Sequence, residues 1–221
     1  MKELAKKRAR LIREIELDAR STAAYTGRKR LAGAVLTAMG RITREDFVGA
    51  ADRTRAYVNR PLSIGHGQTI SQPFIVGLMT DLLDPEPDDI VLEVGTGSGY
   101  QTAVLAELVS RVYSVEVVPE LAGDAARRLA DLGYTNVDVR QSDGAAGWPD
   151  KAPFDAILVT AAATSIPAAL VEQLKPEGRM VIPVGEPGRE QMLVLVTKDA
   201  EGRVENEAIL PVAFVPLVSA G

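Results

Sequence analysis

Short apolar runs alternate with amphipathic stretches through the last two thirds of the chain. The runs predict strands at residues 90–94, 112–116, 136–140, 155–160 and 179–184, and helical spacing predicts helices near 99–109, 120–132 and 167–174. Two further strands, at about 191–197 and 204–215, flank the turn sequence at residues 199–202. Alternating strands and helices indicate an α/β fold. We therefore predict a seven-stranded Rossmann-like sheet that is mostly parallel, ends in an antiparallel hairpin and has helices on both faces.

The first third of the chain has a helical pattern with one extended interruption. Helices are predicted at residues 31–39, 43–50 and 73–83, with an extended segment at 57–64. Thr43 and Ser71 stand where side-chain N-caps of the second and third of these helices would lie. A chain of 221 residues suits one sizeable α/β domain. We predict a helical extension at 1–30 and one domain at 31–221, divided into an N-terminal cap at 31–83 and a sheet at 84–221.

Charge is distributed unevenly along the chain. Residues 1–30 carry ten Lys or Arg and four Asp or Glu, a net charge of +6. The whole chain has a net charge of −5, so the remaining residues carry −11. The apolar stripe Leu4, Leu11, Ile12, Ile15 and Ala19 favours a helix that packs on the body over a nucleic-acid-binding arm. The acidic body is also a poor match for nucleic acid. We predict no nucleic-acid partner.

The counts of cysteine and histidine limit the catalytic and metal-binding groups that this chain can use. The chain has no cysteine and one histidine, His66, which excludes disulfides, thiolate nucleophiles and histidine-rich metal sites, so no metal is predicted. No apolar run approaches the length of about 18 residues that a membrane span needs, so a cytoplasmic protein without a membrane partner is expected. The oligomeric state is left open.

Residues 91–105 (V-L-E-V-G-T-G-S-G-Y-Q-T-A-V-L) have the pattern of a buried strand, a glycine turn and a helix. Open α/β sheets bind ligands above such a turn. Tyr100 stands where the dinucleotide fingerprint has its last glycine, which argues against NAD. Glu116 ends the next strand, 116 − 95 = 21 residues after Gly95, and a carboxylate there can accept ribose hydroxyls. Asp143 and Gly144 follow the third strand, where they favour either an adenine contact or a simple turn.

Several segments together resemble the protein-L-isoaspartate (D-aspartate) O-methyltransferase family. They lie in order along the chain and include a G-x-T-I-S-x-P pattern that is specific to that family. The matching segments are Pro61-Leu62, 64–73 (I-G-H-G-Q-T-I-S-Q-P), 91–101 (V-L-E-V-G-T-G-S-G-Y-Q), Asp143-Gly144, 147–149 (G-W-P), 152–155 (A-P-F-D), 159–162 (V-T-A-A), 183–185 (P-V-G) and 214–217 (F-V-P-L).

The resemblance implies S-adenosyl-L-methionine as cofactor and L-isoaspartyl residues of damaged proteins and peptides as partners, whose carboxylate is methyl-esterified. It implies that Ser71 is the catalytic hydroxyl. The cofactor residues that it implies are Thr69, Glu93, Gly95, Thr96, Gly97, Ser98, Gly99, Glu116 for the ribose, Asp143 and Gly144 for the adenine, and Gln191; the substrate residues are Ile64, His66, Val215 and Pro216.

Three positions depart from the family pattern: Asn59 and Ser63, where the family often has aspartate and proline, and Ala213, where it often has arginine. Because these positions lie in segments that the resemblance associates with peptide capture, two alternatives stay open. One is a methyltransferase of the same fold that acts on a small molecule or another modified peptide. The other is a catalytically decayed protein that binds the cofactor only.

Overall fold

The computed structural model describes residues 2–218. Its α-helices are α1 (Lys2–Ser21), α2 (Ala23–Thr26), α3 (Gly33–Arg41), α4 (Pro73–Leu83), α5 (Tyr100–Ala106), α6 (Pro119–Asp131) and α7 (Ala168–Gln173). Its strands are β1 (Leu62–Gly65), β2 (Gln68–Ile70), β3 (Ile90–Val94), β4 (Arg111–Glu116), β5 (Val137–Gln141), β6 (Phe154–Val159), β7 (Leu174–Val184), β8 (Gln191–Lys198) and β9 (Val204–Val212). No α-helix in this described range is long and apolar enough to cross a membrane.

The central sheet has seven strands in the order β5-β4-β3-β6-β7-β8-β9. Strands β3 to β7 pair in parallel, and β8 is antiparallel to both β7 and β9. The predicted fold class is confirmed. The chain builds outward from β3 to β5 and then returns to the other side of β3 with β6, so the strand order reverses between β3 and β6. Ligands of open α/β sheets bind at such a reversal, beyond the carboxyl ends of the strands.

Successive strand residues point to opposite faces and enter two separate apolar layers. On β3, Val91 packs into the layer that contains residues of α1, α3, α4 and α5, and Leu92 packs into the layer that contains Leu170 of α7. Helix α4 lies in the centre of the first layer, where Leu78 and Met79 are almost fully buried. A sheet covered on both faces explains why its strands are continuous apolar runs.

Helix α1 packs against the body along the apolar stripe. Leu11, Ile15 and Ala19 are buried, whereas Leu17 on the opposite face is 61% exposed. Leu4 and Ile12 are partly buried against the same core. The stripe therefore anchors the basic helix to the first layer of the core, while the domain division at residue 30 stays a prediction.

The predicted helix at 43–50 and its cap are wrong. The chain forms two short 3₁₀ turns there, Arg44–Phe47 and Ala50–Arg55. Thr43 makes no capping hydrogen bond to the first of these turns, because its hydroxyl accepts a hydrogen bond from Arg8 of α1 instead.

The predicted cap of α4 is also wrong. The N-cap position belongs to Gln72, whose side chain makes no capping bond, and Ser71 lies one residue earlier. Strand β9 ends at Val212 instead of 215, since the residues beyond it leave the sheet edge and cross towards β6.

Candidate functional site

The glycine loop joins β3 to α5 and faces the carboxyl ends of the parallel strands. Gly95, Gly97 and Gly99 all have positive φ angles, of 95°, 53° and 85°. Glu116 at the end of β4 fixes this loop, since its Oε2 accepts a hydrogen bond from the Gly97 amide (2.8 Å) and its Oε1 accepts one from the Val118 amide (3.0 Å). The loop is therefore held open by a carboxylate.

A first cavity, with about 740 Å³ of space that includes open solvent, lies above the loop, where β3, β4 and β6 end. The carboxyl ends of the strands are where open α/β sheets bind their ligands. Ten of the predicted site residues line it: Thr69, Ser71, Gly95, Thr96, Gly97, Ser98, Glu116, Gly144, Val215 and Pro216. The structure thus brings residues from separate parts of the chain to one cavity.

Two glycines keep the first cavity open. A Cβ on Gly95 would clash with the Thr160 hydroxyl, and a Cβ on Gly144 would lie 2.5 Å from Cγ1 of Val94 and 3.2 Å from Cδ1 of Leu217. Any larger residue at either position would push these neighbours into the cavity or out of the sheet.

Six predicted site residues lie outside the lining of the first cavity. Gly99 faces the opposite way, and a Cβ there would lie 3.2 Å from Leu129 of α6. Asp143 accepts a hydrogen bond from the Ala145 amide (2.9 Å) and so closes the turn that follows β5. Ile64 is partly buried beside Gly97, whereas His66 is exposed at the tip of the β1–β2 hairpin.

Glu93 is one of these six, and it supports the loop from beneath. It is fully buried on β3, and its Oε2 accepts hydrogen bonds from the hydroxyls of Thr102 (2.5 Å) and Ser114 (2.6 Å). Ser114 in turn bonds to the hydroxyl of Thr96 in the glycine loop (2.6 Å). Burial raises the pKa of Glu93 to about 8, against the effect of the two hydroxyl donors and with a further contribution from the charge of Glu116.

Gln191, the last of the six, holds the wall opposite the loop. Its amide donates to the Phe214 carbonyl (3.2 Å) and accepts from the Phe214 amide (2.6 Å). Beyond this clasp, the Ala162 amide donates to the Val215 carbonyl (2.8 Å), and the Leu217 amide donates to the Ala162 carbonyl (2.7 Å). These bonds lay residues 214–217 across the end of β6, where they form one side of the first cavity.

A second cavity adjoins the first. It has about 940 Å³ of open space and shares four lining residues with the first cavity: Thr69, Ser71, Thr160 and Val215. The remaining lining residues are Pro61, Gln72, Ile75, Pro211, Val212, Ala213 and Phe214. None of these lining side chains is ionisable, so the lining contains no carboxylate that would repel a negatively charged group entering this cavity.

Arg44 holds the Ser71 segment from behind. Its guanidinium is fully buried, donates to the carbonyls of Ala56 (2.8 Å) and Ser71 (3.1 Å), and stacks 4.9 Å from the centre of the Tyr100 ring. Because Tyr100 begins α5 and lines the first cavity, one side chain ties the Ser71 segment to the helix after the glycine loop.

Thr160 is missing from the residues that the sequence predicts for the site, although it lines both cavities. It follows β6 directly, its amide donates to the Val94 carbonyl (2.9 Å), and its hydroxyl donates to the Gly95 carbonyl (2.6 Å). A polar residue at the end of the strand next to the glycine turn is the signal that could have found it.

A model of the family described as protein-L-isoaspartate(D-aspartate) O-methyltransferase matches residues 26–221. The chain belongs to this family. A protein-L-isoaspartate O-methyltransferase 2 from Syntrophobacter fumaroxidans is 58% identical over 210 residues, which cover 95% of this chain and 85% of that protein. One of the same name from a Polaromonas species is 55% identical over 94% of this chain and 98% of its own length.

Solved protein-L-isoaspartate O-methyltransferases share the fold. One of them superposes with a TM-score of 0.83 at 26% sequence identity. The match covers 97% of this chain and 66% of the solved chain. Another, a putative enzyme from Plasmodium falciparum in complex with S-adenosyl-L-homocysteine, has a TM-score of 0.73 at 25% identity and covers 85% of this chain and 91% of that chain. The cofactor of the protein-L-isoaspartate O-methyltransferases is S-adenosylmethionine, as the sequence predicts.

Proposed function

We propose that this chain transfers a methyl group from S-adenosylmethionine to the free carboxylate of L-isoaspartyl residues in proteins and peptides. The observation that carries the proposal is the meeting of two cavities at Thr69, Ser71, Thr160 and Val215. One cavity suits a nucleoside-sized molecule and the other a peptide segment, so donor and acceptor can face each other across three hydroxyl-bearing side chains and one apolar side chain.

The residues of the first cavity fit the cofactor. Each carboxylate oxygen of Glu116 accepts one backbone hydrogen bond and retains a further lone pair, which suits the hydroxyls of a ribose. Gly144 leaves room in the same cavity, because its missing Cβ opens the space in front of Val94 and Leu217. When bound, S-adenosylmethionine supplies an electrophilic methyl group on a positively charged sulfur. Glu116, the glycine loop and Gly144 would hold it.

The acceptor needs no general base. A carboxylic acid has an ordinary pKa near 4 and is already ionised at neutral pH, so its oxygen is the nucleophile as it stands. His66, the one histidine, is exposed on a hairpin outside both cavity linings. The contribution of the protein is orientation, which can supply roughly 7–11 kcal/mol. Ser71, which lines both cavities, would hold the acceptor oxygen without becoming a nucleophile.

The product fits a repair role. A methyl ester reacts with a nucleophile more readily than a carboxylate does, because methoxide is a better leaving group than oxide. The next backbone nitrogen of the substrate can therefore attack the ester carbonyl and release methanol. The resulting succinimide takes up water and opens in part to the normal aspartyl linkage. The chain itself has only to form the ester.

A methyl-transfer assay with an isoaspartyl peptide and its aspartyl twin tests the proposal. We expect transfer to the isoaspartyl peptide alone, with one methyl ester formed per site. Equal transfer to both peptides, or transfer only to small molecules, would indicate a different acceptor. Binding of S-adenosylhomocysteine without transfer to either peptide would indicate a protein that retains the cofactor site alone.

A further inference from the structure

Helix α4 starts without a cap from its own neighbourhood. The Gln72 side chain makes no capping bond, and the first helical residue is Pro73. The amide of Phe74 instead donates to Oδ1 of Asn59, 15 residues earlier in the chain (3.0 Å). Asn59 therefore acts as a distant cap for this helix.

Asn59 is itself held by helix α1. Its Nδ2 donates to Oδ2 of Asp18 across a distance of 2.7 Å, and both residues are partly buried. The contact joins residues that are 41 positions apart. A continuous path of two hydrogen bonds thus runs from α1 through Asn59 to the first turn of α4.

The path has a definite polarity. Asp18 offers only acceptors and the Phe74 amide offers only a donor, so residue 59 must present a donor on one side and an acceptor on the other. Asparagine does this with one planar amide. An aspartate at position 59 would still accept from Phe74, but it would place a second carboxylate against that of Asp18.

The first turn of α4 carries part of the second cavity. Ser71 and Gln72 precede the helix directly, Ile75 lies in its first turn, and all three line the space in which the proposed acceptor would sit. Within the described residues, none of the three makes a hydrogen bond of its own to α1, and the Asp18–Asn59 pair links α1 to this wall through the Phe74 amide.

We propose that Asp18 and Asn59 are positioning residues for the acceptor site, so that helix α1 takes part in catalysis by fixing the start of α4. The proposal rests on the proposed function for its catalytic consequence. It expects that disturbing the pair weakens use of the peptide and leaves cofactor binding largely intact. Gln72 and Ile75 line only the second cavity, whereas the glycine loop and Glu116 of the first cavity are held by bonds that do not involve Asn59.

Variants that exchange the carboxylate and the amide side chain between positions 18 and 59 test the pair. Asn59→Asp should lower kcat/KM for the isoaspartyl peptide about tenfold, since small displacements of an acceptor site are costly, while affinity for S-adenosylhomocysteine measured by calorimetry stays within about twofold. Asp18→Asn should have little effect, because the amide oxygen of an asparagine at position 18 can still accept from Asn59. The double variant Asp18→Asn/Asn59→Asp restores a donor opposite an acceptor, so we expect it to recover most of the activity that Asn59→Asp loses.

Amide hydrogen exchange of Phe74 gives a second readout that does not depend on activity. The exchange should be about tenfold faster in Asn59→Leu than in the wild type, because the amide loses its acceptor. Asp131→Asn at the exposed end of α6 is the matched control for loss of one carboxylate and should match the wild type in both measurements. If Asn59→Asp does not fold, Asp18→Ala takes its place and should lower kcat/KM in the same direction.

Three outcomes would overturn the proposal: an Asn59→Asp variant with unchanged kcat/KM, a double variant no better than Asn59→Asp, or unchanged Phe74 exchange in Asn59→Leu. A wild-type chain that methylates no isoaspartyl peptide would refute the proposed function instead. Phe74 exchange would then still decide whether the pair fixes α4: unchanged exchange in Asn59→Leu would refute the positioning role as well.

Discussion

Ser71 is the residue at which two explanations of the site give different measurements. Its side chain does not cap α4, since the N-cap is Gln72, and it lines both cavities. Ser71→Ala should therefore change the free energy of unfolding by no more than about 0.5 kcal/mol. It should lower kcat ten- to a hundredfold, because the lost contact to the acceptor is made mainly in the transition state. The affinity for S-adenosylhomocysteine should stay unchanged.

Initial rates at saturating S-adenosylmethionine, together with thermal unfolding, check this expectation. Ser165→Ala is the control, because Ser165 is an exposed serine that lines neither cavity. A Ser71→Ala variant with full kcat, or with a loss of stability near the roughly 1 kcal/mol typical of a cap, would contradict the assignment.

Glu116 carries two duties at once, because its carboxylate fixes the glycine loop and faces the proposed ribose. Glu116→Ala should weaken S-adenosylhomocysteine binding by about 1.5–3 kcal/mol, the range for hydrogen bonds to a charged group. Calorimetric titration measures the change. Glu120→Ala, at an exposed position in the first turn of α6, should bind like the wild type. Equal affinities for both variants would remove Glu116 from the cofactor site.

At the scale of elements, Glu93 joins β3, β4 and α5 through a carboxyl group that is buried away from water. Burial raises its pKa to about 8 from a value of 4.5 in the unfolded chain. Between these values the folded protein keeps a proton that the unfolded chain has released, so the stability that protonated Glu93 contributes is complete below about pH 4.5 and is lost as the pH rises through about 8.

Glu93→Gln should remove this dependence, because an amide of the same shape accepts from Thr102 and Ser114 and does not ionise. We expect its free energy of unfolding, measured with urea at about pH 5, 6.5 and 8, to fall less steeply with pH than that of the wild type. Glu201→Gln, in an exposed turn, should retain the wild-type slope. The same slope in Glu93→Gln and the wild type would mean that Glu93 is already charged in the folded protein.

Elements with a strong local pattern are predictable from the sequence, and elements fixed by distant partners are not. Strand β3 and helix α4 have the bounds that the sequence predicts, because continuous apolar burial determines both. The caps of the 43–50 segment and of α4 fail because Arg8 takes the hydroxyl of Thr43 and Asn59 takes the amide of Phe74. Such partners are 35 and 15 residues away, beyond the reach of any local rule.

The same distinction applies to the site. The glycine loop and Glu116 carry a recognisable spacing, and the structure brings them to one cavity. Glu93 lies on β3 directly before the loop and Gln191 begins β8, yet both lie behind the walls, where they hold the loop and residues 214–217. Spacing along the chain does not indicate which side of a wall a side chain occupies. Only the packing of β3 against α5, and of β8 against residues beyond β9, decides it.

At the scale of the whole molecule, helix α1 is part of the core rather than an appendage. Ile15 lies on the inner face of this helix and is fully buried. Ile15→Ala should therefore lower the free energy of unfolding by about 2–5 kcal/mol and the melting temperature by roughly 4–20 °C. Leu17→Ala removes a similar side chain from the 61%-exposed face of the same helix and should leave the melting temperature nearly unchanged. Equal shifts in the two variants would show that the buried stripe does not anchor α1.

The clasp between Gln191 and residues 214–217 determines when a newly made chain acquires its site. Ribosomes add residues in sequence order, so Ser71, the glycine loop and Thr160 are all made before the segment that forms the facing wall. A nascent chain that has reached Val212 contains all seven strands of the sheet but lacks Val215 and Pro216. The two cavities then merge with open solvent along that side. Methyl transfer should therefore begin only after residues 214–217 have docked against Ala162.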